Sequence, residues 1–178
     1  MKATDTKKPL TVRQPKGMQS EAVHKLIALK MEKDRQLRPS LPAYAQTFPN
    51  YDDRTANGLT NCIIQFLNMT DGCHAERTGS EGRVIDTRKT YTDVIGQVRQ
   101  TGSIKRIKSS GQNGTADISA TILGRSVKIE VKIGNDRQSE DQKNYQKSIE
   151  NAKGYYLLIK DFQSFYDWFN SKYQKANE

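Results

Sequence analysis

The stretch GTADISATILGRSVKIEVKIG, from Gly114 to Gly134, constrains the fold more than any other part of the chain. It holds two short runs that alternate polar and apolar residues about Leu123-Gly124-Arg125. In the first run Ile118, Ala120 and Ile122 fall on one side, and Asp117, Ser119 and Thr121 on the other. In the second, Val127, Ile129 and Val131 oppose Lys128, Glu130 and Lys132. Period-two alternation rich in β-branched residues predicts a half-buried strand pair. Gly124, free to take positive φ, marks a tight hairpin between them.

Parity then restricts the pairing. A one-residue slip would flip every side chain to the other face, so a shared core allows only alternate registers. Those registers set Asp117 across from Glu130 or Lys132 and forbid Ile129 or Val131 as its partner. Cross-strand neighbours lie about 5 Å apart, so two carboxylates and an ammonium can converge. Such a cluster suits a hard divalent cation, because magnesium takes oxygen ligands and commonly only one or two protein carboxylates. The alternative is an ordinary solvated strand face, where Glu and Lys alternate without function.

The surroundings weigh against that alternative. Gly111 to Thr115 is a turn-rich lead-in to Asp117, and Gly134-Asn135-Asp136-Arg137 is a loop. Ser139 is placed to cap a helix from Glu140 to Asn151, with Gln142, Tyr145, Gln146 and Ile149 three or four apart. Gly154 ends that helix, and Tyr155 to Ile159 is predicted as a buried strand.

The ordered set G-T-A-D, I-E-V-K, Q-S-E-D-Q-K-N-Y and G-Y-Y-L-L-I resembles the VRR-NUC family of the PD-(D/E)xK nuclease superfamily. The resemblance covers Asn57 to Ile159. It implies an α/β fold with a mixed sheet, an αβββαβ core, and magnesium-dependent cleavage of DNA phosphodiesters, with manganese as a substitute. In that family pattern Asp117 is the first acid, Glu130 the second and Lys132 the lysine. Asp117, Glu130 and the backbone carbonyl of Val131 are implied as metal ligands, and Gln142 matches the family's helix glutamine. Two departures stand out. Ala116 occupies the position of the motif's proline, which many members lack. The family often carries a Glu in its first core helix, where this chain has Asn57 or Asn61; Glu76 on the next strand is a candidate substitute.

Charge points to an anionic partner. The 178 residues carry 29 Lys and Arg against 20 Asp and Glu, a formal net charge of +9. Residues 1–50 hold ten basic against four acidic residues, a balance of +6, and residues 51–178 hold nineteen against sixteen, a balance of +3. Within the latter, Lys105, Arg106 and Lys108 precede the hairpin, and Arg83 lies in a second basic group with Arg88 and Lys89. Both groups are candidates for a DNA-binding groove, the alternative being a solvated basic surface. Cys62 and Cys73 are the only cysteines and are expected as buried small apolar residues. Two Cys and two His, dispersed as they are, do not form the ligand spacing of a structural zinc site. No apolar run approaches membrane-spanning length, and no secretory signal is expected. The chain suits a reducing, cytoplasmic setting and, by resemblance, a phage or mobile-element nuclease. Related folds act as monomers or homo-oligomers.

Along the chain, residues 1–19 are expected to be a flexible basic arm. Ser20 caps a helix from Glu21 to about Leu37 with the stripe Val23, Leu26 and Ile27, and Pro39 and Pro42 stop it. Residues 20–54 are assigned to this helix and a connector held by Tyr44, Phe48 and Tyr51, and 55–178 to the nuclease-like domain. A first core helix runs from Thr55 or Asn57, carrying Leu59, Ile63, Ile64, Phe66 and Leu67, to near Asp71. Strands are expected at His74–Thr78 and Arg83–Asp86, with a turn at Gly79–Gly82. Residues 87–103 are ambiguous, with Thr92–Val98 open between a loop and a short helix, and Ser103–Ser109 is undecided. Asp161 caps a last helix whose Phe162, Phe165, Trp168 and Phe169 are assigned to the core. The favoured function is a metal-dependent endonuclease, possible substrates including branched or flapped DNA. The second is a non-catalytic DNA-binding accessory module with a degenerate site.

Overall fold

The computed structural model describes residues 19–79, 83–107 and 112–173. Its first helix, α1 (Glu21–Leu37), starts where Ser20 accepts a hydrogen bond from the Val23 amide, and it buries Ala22, Val23 and Leu26. A single 3-10 turn, Ala43–Ala45, follows. Helix α2 (Ala56–Met69) is capped by Thr55 and buries Leu59, Cys62, Ile63, Phe66 and Leu67. Then come β1 (Cys73–Arg77), β2 (Arg83–Asp86), β3 (Lys89–Thr92), β4 (Val98–Thr101), β5 (Ile104–Ile107), β6 (Ile118–Ile122) and β7 (Arg125–Val131). Helix α3 (Glu140–Asn151), β8 (Tyr155–Ile159) and α4 (Phe162–Tyr173) complete the order. Among the described residues no helix is long and apolar enough to cross a membrane.

The hairpin is the centre of a four-stranded mixed sheet of order β1-β6-β7-β8. β1, β6 and β7 run antiparallel, and β8 lies parallel to β7 after the α3 crossover. Ile122 pairs with Arg125, leaving a two-residue loop in which Leu123 and Gly124 both have positive φ. This is the turn whose twist matches the strands it joins. Ile118, Ala120, Ile122, Val127, Ile129 and Val131 share one buried face with residues of α1, α2 and α4. Phe66 stands edge-on to Phe162, Phe165 and Phe169, tying α2 to α4. Because Ala22, Val23 and Leu26 belong to this same core, α1 packs with the sheet's helices as one body with them. The opposite sheet face carries Lys128, Glu130 and Lys132, and α3 packs there, its Tyr145 against Tyr156 of β8.

Between β1 and β6 the chain leaves the sheet as a nested hairpin. β2 pairs with β5 and β3 with β4, each pair antiparallel. The segment Thr92–Val98, open between loop and helix in the sequence, is a strand end, a turn and a strand start. The reason is Asp93. Its Oδ1 accepts from the Ile95 and Gln97 amides, at 3.1 and 2.9 Å, and Gly96 takes φ +82. An Asp that satisfies amides of its own turn competes with helix formation.

Two further expectations change. Of the connector aromatics only Tyr51 is buried; Tyr44 and Phe48 are exposed and do not hold the connector. β8 is an edge strand, so Leu158 is exposed where a wholly buried strand is predicted. The arm (apart from Gln19), most of the turn after Gly79 and Lys108 lie outside the described residues.

Candidate active site

The sheet register brings the hairpin's charged residues together at one end of β6 and β7. Ile118 pairs with Ile129, and one step further along the same register Asp117 stands opposite Glu130. Asp117 is fixed at both ends. Its carbonyl accepts from the Thr78 amide at 2.8 Å, and its Oδ2 accepts from the Val131 amide at 2.9 Å. In a strand the amide and carbonyl of one residue project to the same side. The Val131 carbonyl therefore projects from the edge that its amide shares with Asp117. Lys132 faces the other way, its amide donating to the Ile159 carbonyl of β8 at 2.9 Å.

Glu130 is the most enclosed charged group of the site. Its side chain is 1 % exposed and that of Lys132 9 %, with Lys132 Nζ 3.0 Å from Glu130 Oε1. The solvated-face alternative is thereby overturned: α3 covers these two residues. Gln142 Nε2 donates to the same Oε1, and the Tyr156 hydroxyl donates to Oε2 at 3.5 Å. Burial pushes the Glu130 carboxyl above its usual range. The Lys132 hydrogen bond pulls it back, and the Asp117 charge raises it again. Burial also pushes the Tyr156 phenol up to about 12, so it remains a donor across the neutral range.

Local sequence orients Gln142. Its own amide donates to Ser139 Oγ at 3.3 Å, while its Oε1 accepts from the Ser139 amide at 2.9 Å. This capping box uses the side-chain oxygen and leaves Nε2 for Glu130. The helix start is in turn pressed against the loop that leads to Asp117. Gly114 has φ +75, and a Cβ there would lie 2.4 Å from the Asp141 carbonyl carbon. Only glycine allows that approach.

Other candidates are not brought to this cluster. Asn57 is exposed and accepts from Arg77 Nη2 at 2.6 Å, and Asn61 is exposed on α2. Glu76 alternates with buried Ala75, so it shares the sheet face of Glu130, but it is exposed on β1. Among the described residues no group of three His, Cys, Asp or Glu side chains forms a metal-holding cluster, so Glu76 does not complete one. Lys105 and Arg106 are exposed on β5, adjacent in the strand and hence on opposite faces of it, rather than in one groove beside the hairpin. Arg83 lies on β2, and Lys108 lies outside the described residues. Cys62 is buried and free, its thiol pushed up to about 12 by burial, and Cys73 is half-buried.

Tyr156 is the site residue that the sequence reading overlooks. The signal was present. In Tyr155–Ile159 the same parity that separates Ile159 from its neighbours places Tyr156 on the Glu130 face, and Tyr156 pairs with Lys128 in the parallel register.

The donor set suits a hard divalent cation. Asp117, Glu130 and the Val131 carbonyl are all oxygen donors, two of them anionic. Glu130 Oε1 is engaged by Lys132 and Gln142, whereas among the described residues Oε2 accepts only the long Tyr156 bond. No protein-family model matches the chain, and no curated protein matches it.

Proposed function

We propose that the chain is a magnesium-dependent endonuclease that hydrolyses DNA phosphodiester bonds, with a VRR-NUC-like PD-(D/E)xK core. The order α2, β1, β6, β7, α3, β8 supports this reading, since it runs αβββαβ once the nested hairpin is set aside. The observation that carries it is a largely buried Glu130–Lys132 ion pair whose strand neighbour Val131 holds the carboxylate of Asp117. A buried pair of this kind is a poor stability device, because desolvation offsets the attraction. Its position beside a second carboxylate gives it a chemical use instead.

Asp117, Glu130 and the Val131 carbonyl would hold the cation. When bound, such an ion supplies charge neutralisation at the phosphate and activation of water. Lys132 adds a fixed positive charge beside Glu130, suited to orient a nucleophilic water or to offset charge developing on the phosphate. Gln142 and Tyr156 hold the Glu130 carboxylate from two directions, so its position does not drift when water is excluded.

A second reading, a DNA-binding accessory module with a degenerate site, is favoured by the absence of a third carboxylate among the described residues. Asp117→Asn separates the two. An Asn oxygen can still accept from the Val131 amide, so the loop geometry survives while one metal-binding charge is lost. Plasmid and branched DNA are incubated with magnesium, manganese or EDTA. The nuclease reading expects cutting with either metal, none with EDTA, and a rate at least about a hundredfold lower for the variant, matching several kcal/mol of lost stabilisation. DNA binding without any metal-dependent cutting by the unaltered chain would establish the second reading.

A further inference from the structure

In the nested hairpin, residues 83–107, strands β3, β4 and β5 are exposed throughout, and no helix or strand of the main sheet packs closely against it among the described residues. It is nevertheless a built object. At its mid-point the Thr87 amide donates to the Ser103 carbonyl at 3.1 Å, and the Thr87 hydroxyl accepts from the Ser103 amide at 3.1 Å. Gly102, with φ +88, lies so close there that a Cβ would meet the Thr87 carbonyl oxygen at 2.1 Å. The joint between the two ladders is thus locked. At the tip, Asp93 holds the turn through two amides and an ion pair of 2.6 Å with Arg99. That ordered turn thrusts two apolar side chains outward: Val94 is 105 % exposed and Ile95 70 %. Adjacent large apolar residues held in water cost free energy unless a partner covers them.

Charge identifies the partner. Residues 83–107 carry six Lys and Arg against two Asp, a balance of +4. Both acids are neutralised within the ribbon, Asp86 by Arg88 and Asp93 by Arg99. Lys89, Lys105 and Arg106 make no ion pair among the described residues and face solvent. A two-stranded β-ribbon can lie in the minor groove of B-form DNA, the side from which apolar wedges open base steps, and does not fit the deep, narrow major groove of A-form RNA. In the chain the ribbon is inserted between Thr78, whose amide donates to the Asp117 carbonyl at 2.8 Å, and the segment that leads into Asp117. From Arg83 to Val94 the strand can extend by up to about 35 Å, roughly one turn of duplex.

Resting on the nucleic-acid reading above, we propose that this ribbon is a DNA-invading arm. Lys89, Lys105 and Arg106 on its shank hold backbone phosphates, and Val94 and Ile95 at its tip insert between base pairs and unstack them. Apolar wedges on otherwise basic DNA-binding elements open base steps in this way, the unstacking cost being offset by added backbone contacts. The arm would present distorted DNA to the Asp117 end of the sheet, which gives the site a preference for duplexes that open readily, such as junctions and flaps.

The test uses the full chain in EDTA, so that binding is read without cleavage. Duplex and branched DNA carry 2-aminopurine, whose fluorescence rises on unstacking, and affinity is followed by anisotropy. The unaltered chain should raise the fluorescence several-fold. The double variant Val94→Ser/Ile95→Ser should lose most of that rise while keeping the same dependence of log affinity on log salt. Lys89→Ala/Lys105→Ala should instead flatten the salt slope by about 1.8, at about 0.9 per lost phosphate contact. Binding with no fluorescence rise, or a full rise from the tip variant, overturns the wedge and leaves the nuclease reading intact. No DNA binding by the unaltered chain overturns both. A tip variant that turns a dimer into a monomer in sedimentation, with unchanged 2-aminopurine signal, overturns the arm in favour of contact with a second copy.

Discussion

Removing either partner of the Glu130–Lys132 pair should destabilise the fold, and removing both should restore it. The two charges sit 3.0 Å apart with side-chain exposures of 1 % and 9 %. At that distance, with an effective dielectric near 20, their attraction is about 5–6 kcal/mol. Dehydrating each ion costs several kcal/mol, so the intact pair contributes little net stability. In Lys132→Met the Glu130 carboxylate stays enclosed, with Gln142 and Tyr156 as its remaining donors. In Glu130→Gln an ammonium stays enclosed without its counter-charge. Each single variant should lose about 3–5 kcal/mol, a large share of the 5–15 kcal/mol typical of a domain. The double variant Glu130→Gln/Lys132→Met carries no buried charge and should be as stable as the unaltered chain, or up to about 4 kcal/mol more so. Urea titrations at constant m-value measure all four proteins, and the coupling energy should exceed about 3 kcal/mol. Single effects that simply add, to within about 0.5 kcal/mol, would refute the buried-pair reasoning. Metal-dependent cleavage should be lost in all three variants. A well-folded but inactive double variant would then separate the chemistry of the pair from its role in folding.

The same buried carboxyl sets a pH dependence. Glu130 is held above its ordinary 4.5 by burial, so between that value and the raised one the folded chain keeps a proton that the unfolded chain releases. Its contribution to stability is full below that ordinary value and is lost as pH rises through the raised folded value. Urea titrations from about pH 4 to 8 should show this loss in the unaltered chain and not in the double variant, and equal pH profiles would refute it. Gly114→Ala should cost at least about 1–3 kcal/mol and lower cleavage, because the methyl pushes the start of α3, and Gln142 with it, away from Glu130; unchanged melting and rate would refute the close approach. Deleting residues 1–18 removes Lys2, Lys7, Lys8, Arg13 and Lys16 against Asp5. DNA affinity should then depend less steeply on salt, by roughly 0.9 per lost contact, with cleavage at saturating DNA retained; an unchanged slope would leave this segment without a DNA role.

The legible parts of the sequence were those governed by local rules. Ser20, Thr55 and Ser139 start helices where the chain predicts them, because capping depends on residues three or four apart. The hairpin's faces also followed from the sequence, since a period of two leaves only alternate registers; these set Asp117 across from Glu130 or Lys132, and the folded register chose Glu130. The nested hairpin did not. Thr, Arg and Gln around Asp93 satisfy strand, loop and helix templates alike, and the choice rests on which amides the Asp93 carboxylate meets in the folded turn.

The sequence by itself determined which residues could form the site: an acid, an acid and a lysine on one strand face, with a glutamine on the helix that follows. The tertiary structure decided their environment. Burial of Glu130 and Lys132 depends on α3 folding back over that face after β8 pairs in parallel with β7, a contact between segments distant in the chain. Tyr156 enters the site through the same parallel pairing. Tyr44, Phe48, Val94 and Ile95 make the opposite case: their apolar chemistry predicts burial, and only the three-dimensional packing leaves them in water. Local periodicity assigns a side chain to a face, but what covers that face is set by which distant element packs there.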